Sequence, residues 1–264
     1  MSLRVLYVAL LLVGIAAADS FDRPRTKKTL GLGPSPAGFG RHGKVNCYFY
    51  PTFMVKEVDL GEKGADKLAI VPVRHGIVPP CTRARSKAEM VIDANEWSGY
   101  FKGAKGDLVF FDADDGWNGG MGFAVYDSHT GKKVFEDSAV GGIDFLPPQG
   151  GQVTLKYTRI IDSQCNAPKD QAACWDQIRK TIGVENPPQP DCKKAYEESA
   201  QKLAKGRCAA QKSNTAQCVA KEIQLARDQT SQATSIIAYP VEVALGPQPT
   251  IKPVAGELRC WPSD

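Results

Sequence analysis

The sequence has little of what catalytic and metal centres are usually built from. Its 264 residues hold three His (42, 75 and 129), and its eight Cys include no CxxC pair. Structural zinc sites draw on close pairs of ligands, so zinc is not a reading these thiols support. There is no GxSxG, no HExxH and no glycine-rich phosphate loop, which removes the common signatures of serine hydrolases, zinc peptidases and nucleotide-binding enzymes. No segment beyond the N-terminal one is long and apolar enough to cross a bilayer. No repeat occurs at any period, which argues against a propeller. N-x-Ser/Thr sites are absent, in keeping with a bacterial periplasm.

Charge of one sign is scarce as well. The net charge is +4, with 23 % charged and 42 % hydrophobic residues, an ordinary globular balance. No basic stripe is interleaved with aromatics, so nucleic acid is not indicated as a partner. The surplus of Lys and Arg, part of it in residues 23–28, reads as solvated surface.

The first positive feature is an export signal. Arg4 gives a positive n-region, residues 5–15 form an apolar run interrupted by Gly14, and Ala16, Ala17 and Ala18 supply small residues for cleavage. Residues 1–18 therefore read as a signal peptide cut near Ala18. The run is shorter than the ~20 residues of a spanning helix and ends in Asp19, Asp22 and Arg23. No Cys follows until Cys47, so a lipid anchor is not expected. The expectation is a soluble chain exported to the periplasm or the extracellular space.

Residues 19–43 are rich in Gly, Pro, Arg and Lys without apolar periodicity and read as a flexible lead-in. One β-rich domain is expected over residues 44–264. Its strands are read at 45–49, 68–73, the doubly apolar run 107–112 (DLVFFD), 122–126, 132–136 and 153–161, with a five-residue hairpin loop at 127–131. Tyr239, Val241, Val243 and Leu245 alternate again, and Pro240 suggests an edge strand. Between them, at about residues 168–232, Trp175, Ile178 and Ile182 fall at helical spacing, Asp191 is an N-cap for a second helix through Tyr196 and Leu203, and Val219, Ile223 and Ala226 mark a third. Asn214 followed by Gln217 resembles a capping box at its start. The expected fold is mainly β, an antiparallel sandwich or barrel with a disulfide-braced three-helix insertion, α+β overall.

All eight Cys (47, 81, 165, 174, 192, 208, 218 and 260) follow the cleavage site, and an even count in an exported chain implies four disulfides. With a turn at Ser213-Asn214, Cys208 and Cys218 stand level on antiparallel helices and are expected to bridge; a turn at Gly206 would instead bring Cys192 level with Cys218. Cys174 to Cys192 would join the first two helices. Cys260 would tie the C-terminus to the β domain through Cys47 or Cys81.

Two clusters are candidates for chemistry. The first runs from Asp112 through Asp114, Asp115, Gly116 and Trp117 to Asn118. Alternating carboxylates, a Gly and an amide oxygen suit a hard cation, so Asp112, Asp114, Asp115 and Asn118 are candidate Ca²⁺ ligands. The EF-hand pattern fails, because Phe123 stands where the bidentate Glu should be. Trp117 and Asn118 are candidate polar-ligand residues, with the indole able to stack on a sugar. The bland alternative is a long turn in which Asp side chains accept backbone N–H bonds.

The second is Arg74-His75-Gly76, directly after the apolar run 68–73. A strand ending in Arg-His-Gly resembles the signature of the histidine phosphatases. That resemblance covers three residues and implies an α/β fold with long helices, a His75 that becomes phosphorylated and an Arg74 that holds the phosphate. The family's second Arg is replaced by Ile77-Val78-Pro79-Pro80, and the second His it needs has only His129 as a counterpart, in the hairpin loop.

The leading expectation is an exported, non-enzymatic envelope or secreted protein that binds a protein partner, a polysaccharide or an ion, without a cofactor unless Ca²⁺. The competing one is a hydrolase, either like a histidine phosphatase or built on a carboxylate pair.

Overall fold

The computed structural model describes residues 20–36, 38, 40–184, 188–213 and 215–263. The expected signal peptide with its cleavage point, and Asn214, lie outside the described residues. The chain first lays down a small sheet, β1 (Thr26–Pro34), β2 (His42–Phe49), β3 (Phe53–Asp59), β4 (Lys67–Pro72) and β5 (Met90–Val91), paired in that order. A larger sheet follows: β6 (Gly99–Lys105), β7 (Leu108–Trp117), β8 (Gly120–Asp127), β9 (Lys133–Gln149), β10 (Gln152–Asp162), β11 (Ser235–Leu245) and β12 (Thr250–Pro253), each beside the next, with β13 (Arg259–Pro262) also on β11. Every strand pair is antiparallel. Helices α1 (Ala167–Ile182), α2 (Cys192–Ala210) and α3 (Ala216–Thr230) are inserted between β10 and β11, which themselves pair directly. The fold is α+β, an open sandwich-like arrangement of two sheets.

The doubly apolar run in β7 explains the layering. Val109 and Phe111 face the small sheet and pack with Phe53, Val55, Leu68 and Ile70. Phe110 faces the other way, into a core with Phe123, Phe145, Leu155, Tyr157 and, from α1, Ile178 and Ile182. A strand covered on both sides has no polar face to show, which is why its sequence does not alternate. Glu57 on β3 ties the layers. Its buried carboxylate accepts from Asn46 Nδ2 at 2.8 Å and from the Phe101 N–H on β6 at 2.8 Å.

Several expectations change. Residues 19–43 do not form a flexible lead-in: β1 pairs with β2 from Thr26↔Phe49 to Pro34↔His42. Most of β1 is exposed on both faces, so it is held by its backbone ladder and carries no apolar alternation to read. Pro240 does not mark an edge strand either. β13 pairs with residues 235–238 of β11 and β12 with residues 241–244, so the missing N–H falls where one neighbour hands over to the next.

The disulfides are Cys47–Cys81, Cys165–Cys174, Cys192–Cys260 and Cys208–Cys218. Cys208 and Cys218 do stand level, 6.0 Å apart at Cα. Cys174, however, joins Cys165 rather than Cys192, because the segment before the α1 N-cap folds back alongside the second turn of that helix. Cys260 joins Cys192, not Cys47 or Cys81. β13 returns to β11, with Cys260 opposite Ile237, and so reaches the start of α2 instead of the small sheet. The four bridges fit an oxidising compartment. No helix among the described residues is long and apolar enough to cross a membrane.

Each helix start has its cap. Asn166 accepts from Lys169 N, Asp191 from Lys194 N and Thr215 from Cys218 N, so the observed cap of α3 is Thr215. α1 ends at Gly183 with φ 68°, a left-handed C-cap. α3 packs on α2 through Ala200, Ala204 and Ala226, side chains small enough for close approach of the two backbones.

Candidate functional site

The acidic cluster is a strand end and a tight hairpin. β7 runs through Asp112, Asp114 and Asp115 to Trp117, which pairs with Gly120. The turn is then Asn118-Gly119, with φ 48° and 80°, as a type I′ turn requires at both central positions. Asn118 is 5 % exposed and its carbonyl accepts from Trp261 Nε1 at 3.0 Å, so the turn itself accounts for its presence. Asp112 and Asp115 take different partners, while Asp114 and Asp115 both lie near Lys63. Asp112 pairs with Lys102 at 2.5 Å and Asp115 with Lys63. Between Asp112 and Gly116 the register slips against β8. Asp115 is held below the usual carboxylate range by the hydrogen bond from Lys63. Among the described residues no three His, Cys, Asp or Glu converge on a point where a metal could sit. Trp117 is half exposed.

Arg74, His75 and Gly76 also form a turn. Ile77 N–H donates to the Arg74 carbonyl at 2.9 Å, and His75 and Gly76 have φ of 52° and 73°. The imidazole is exposed. His129 lies in the β8–β9 loop of the other sheet, 3.2 Å from Asp107 with both side chains largely exposed. With every strand pair antiparallel, the α/β fold implied by the phosphatase resemblance is not the fold of this chain.

A cleft of about 700 Å³ opens between the helices, lined by Asn166, Lys169, Asp191, Tyr196, Glu197 and Arg227. Apart from Lys169, these polar groups already have partners. Asn166 and Asp191 cap their helices, Tyr196 OH reaches Ser235 Oγ at 2.8 Å, and Arg227 donates twice to Glu197. That ion pair holds Glu197 down to about 2. The cleft is a seam whose carboxylates, Tyr196 and Arg227 are already engaged within the fold.

The outer face of the small sheet differs. β2, β3 and β4 turn Val45, Cys47, Phe49, Met54, Val58 and Val71 away from the sandwich, and an irregular loop, residues 73–89, crosses over them. Four bonds pin that loop. Cys81 is bridged to Cys47, Lys56 Nζ donates to the Ala84 carbonyl at 2.9 Å, and Lys56 pairs with Glu89, which also receives Lys67 at 2.8 Å. The Lys56 and Glu89 side chains are 1 % and 2 % exposed. Burial pushes Glu89 up, but the hydrogen bonds from Lys56 and Lys67 outweigh it and keep it below the ordinary carboxylate value.

With its inward contacts made by Cys81, Ala88 and Glu89, the loop turns its cations outward. Arg74, Arg83, Arg85 and Lys87 are exposed, and residues 74–88 contain no acid. Arg25, just before β1, and Lys28 on β1 adjoin them, lining with Gly76 and Val78 a cleft of about 280 Å³. Lys28 Nζ rests 5.8 Å over the Phe49 ring. Among the described residues none of these six cations forms an ion pair. Over residues 20–92 thirteen Lys and Arg stand against six Asp and Glu, a surplus of seven, whereas over residues 93–264 nineteen stand against twenty-two, a deficit of three.

The modest net charge of the chain hides this division. A visible signal was the absence of any Asp or Glu between Asp22 and Glu57. Charge averaged along the chain gave no reason to single out Arg83, Arg85 or Lys87, which reach this face only because Cys81 folds the loop back.

Comparison of the chain with known protein families, curated proteins and solved structures finds no match.

Proposed function

We propose that the chain is an exported binding protein without a catalytic centre, and that its working surface is the basic outer face of the small sheet, which takes a polyanionic ligand. The observation that carries this reading is the set of six unpaired cations on a pinned loop and its neighbouring strand. Elsewhere among the described residues twelve Lys and Arg pair with carboxylates, Lys102 and Arg159 among them, and acids are interspersed with the rest. Here the acids are missing, the backbone is held by a disulfide and a buried ion pair, and binding need not first break internal salt bridges. A polyanion docking on such a face releases counterions, so its affinity falls steeply with salt. The apolar N-terminal segment and the four disulfides support export.

Heparin serves as the probe polyanion. The protein is expected to be retained on a heparin column and released by salt, with the slope of log affinity against log salt falling by about one for each cation removed in Arg83→Ala and Arg85→Ala. Removing Lys193 and Lys194 from the helix layer should leave retention unchanged. Equal effects from the two pairs of substitutions would show that the basic face is nothing more than a charged surface and sink the reading.

A further inference from the structure

We infer that the polyanion is the headgroup surface of an anionic lipid bilayer, which the basic face approaches while Ile77 and Val78 enter the interface; this inference rests on the proposed basic-face reading and names its ligand. Ile77 is 71 % and Val78 61 % exposed, more than any other large hydrophobic side chain among the described residues. They are adjacent, directly follow the tight turn at His75-Gly76, and precede Pro79-Pro80, which lack N–H groups and stiffen the chain. Two β-branched apolar side chains held out to water have no role in gripping a soluble sugar polyanion. They gain free energy on entering the acyl boundary.

The cations are placed to accompany them. Val78 lines the same cleft as Arg25 and Lys28, and Arg74 opens the turn. Arg83, Arg85 and Lys87 continue across the same loop. Neither an apolar tip nor a basic patch alone holds a protein firmly to a membrane; an apolar insertion surrounded by Lys and Arg combines both attractions.

The test uses the processed protein recovered from an exporting host. It is mixed with vesicles of phosphatidylcholine alone or with 30 %, a chosen fraction of about one in three, phosphatidylglycerol, and binding is read by co-sedimentation. The expected result is binding to the anionic vesicles only, weakened about fivefold for each of Arg83→Ala and Arg85→Ala. The doubly substituted Ile77→Ser, Val78→Ser protein should lose about tenfold or more on vesicles yet elute from heparin at the unaltered salt concentration. All four residues are exposed, and unchanged melting temperatures verify folding. Retention on heparin without vesicle binding, or vesicle binding indifferent to residues 77 and 78, would overturn the lipid inference and leave a soluble polyanion as the ligand. Loss of both heparin and vesicle binding in the unaltered protein would overturn the basic-face reading itself.

Discussion

The two sheets cover their outward faces by opposite means. The large sheet is roofed by helices, which bury an apolar stripe through Cys174, Ile178 and Ile182 and satisfy their own backbones. Acids are mixed with cations there, eight Asp and Glu against eleven Lys and Arg over residues 167–232, and some pair, as in Asp176 with Arg179, Glu222 with Arg207 and Glu197 with Arg227. The small sheet is roofed by a loop with no regular hydrogen-bonding and few apolar side chains to bury, held instead by one disulfide and one buried ion pair. A helix roof stays down because of its stripe, and acids can sit among its cations without loosening it. A loop roof depends on a few specific bonds, and its remaining cations face outward unmatched. The face proposed to bind a ligand is thus the one whose cover is held by the fewest bonds.

The largest expected effect comes from the bridge in that cover. Cys47 and Cys81 are 34 residues apart and Cys208 and Cys218 are 10 apart. In the chain-entropy account the longer loop restrains the unfolded state more, about 4 kcal/mol against about 3. Replacing Cys47 and Cys81 by Ala should therefore lower the denaturant midpoint more than replacing Cys208 and Cys218. It should also raise amide exchange across residues 73–89, whereas the helical pair should loosen only the α2–α3 tip. If the order is reversed, the small sheet's cover is not chiefly held by its bridge.

Next in size is Lys56→Met. Removing one partner of a buried ion pair leaves the other charge uncompensated, typically a loss of 3–5 kcal/mol; with Lys67 still on Glu89, about 3 kcal/mol is expected from chemical denaturation. The pH dependence has a definite sign. Glu89 titrates below its ordinary 4.5 in the folded protein, so its contribution is complete above that value and is lost as pH falls through the lower folded one. The acid limb of stability should flatten in Glu89→Gln. An acid limb identical in the variant and the parent would mean that other carboxylates govern it.

Much of the architecture was legible because strands with one buried face alternate and helices carry 3.6-residue stripes. β10, the hairpin at residues 127–131 and all three helices announced themselves in this way. What escaped was structure held by backbone or by distant partners. β1 has no apolar face to betray it. The Asn118-Gly119 turn was hidden inside an acidic run that suggested ligands, although Asn-Gly between strands is itself a hairpin signal. Cys192–Cys260 depended on where β13 returns, which local spacing does not encode. The basic face escaped for the same reason: its cations lie some fifty residues apart in sequence, Lys28 and Arg83 for instance, and are gathered by one disulfide.

The smallest effect is the one that sets the two roofs apart most sharply. Arg227 donates to Glu197 at 2.9 and 2.7 Å, better geometry than many ion pairs, and its hydrogen bonds bring Glu197 down to about 2. Both side chains lie at the surface, however, where water and salt screen the attraction and ordering two long side chains offsets it. The contribution is complete above the ordinary 4.5 and is lost as pH falls toward 2, yet screening makes it small throughout. Arg227→Ala should therefore leave the denaturant midpoint at neutral pH within measurement error, while Lys56→Met lowers it plainly. Comparable losses from the two variants would mean that exposed and buried pairs hold this protein alike. The unpaired state of the loop cations would then no longer distinguish a surface left open for a ligand from one that has merely lost stabilising partners.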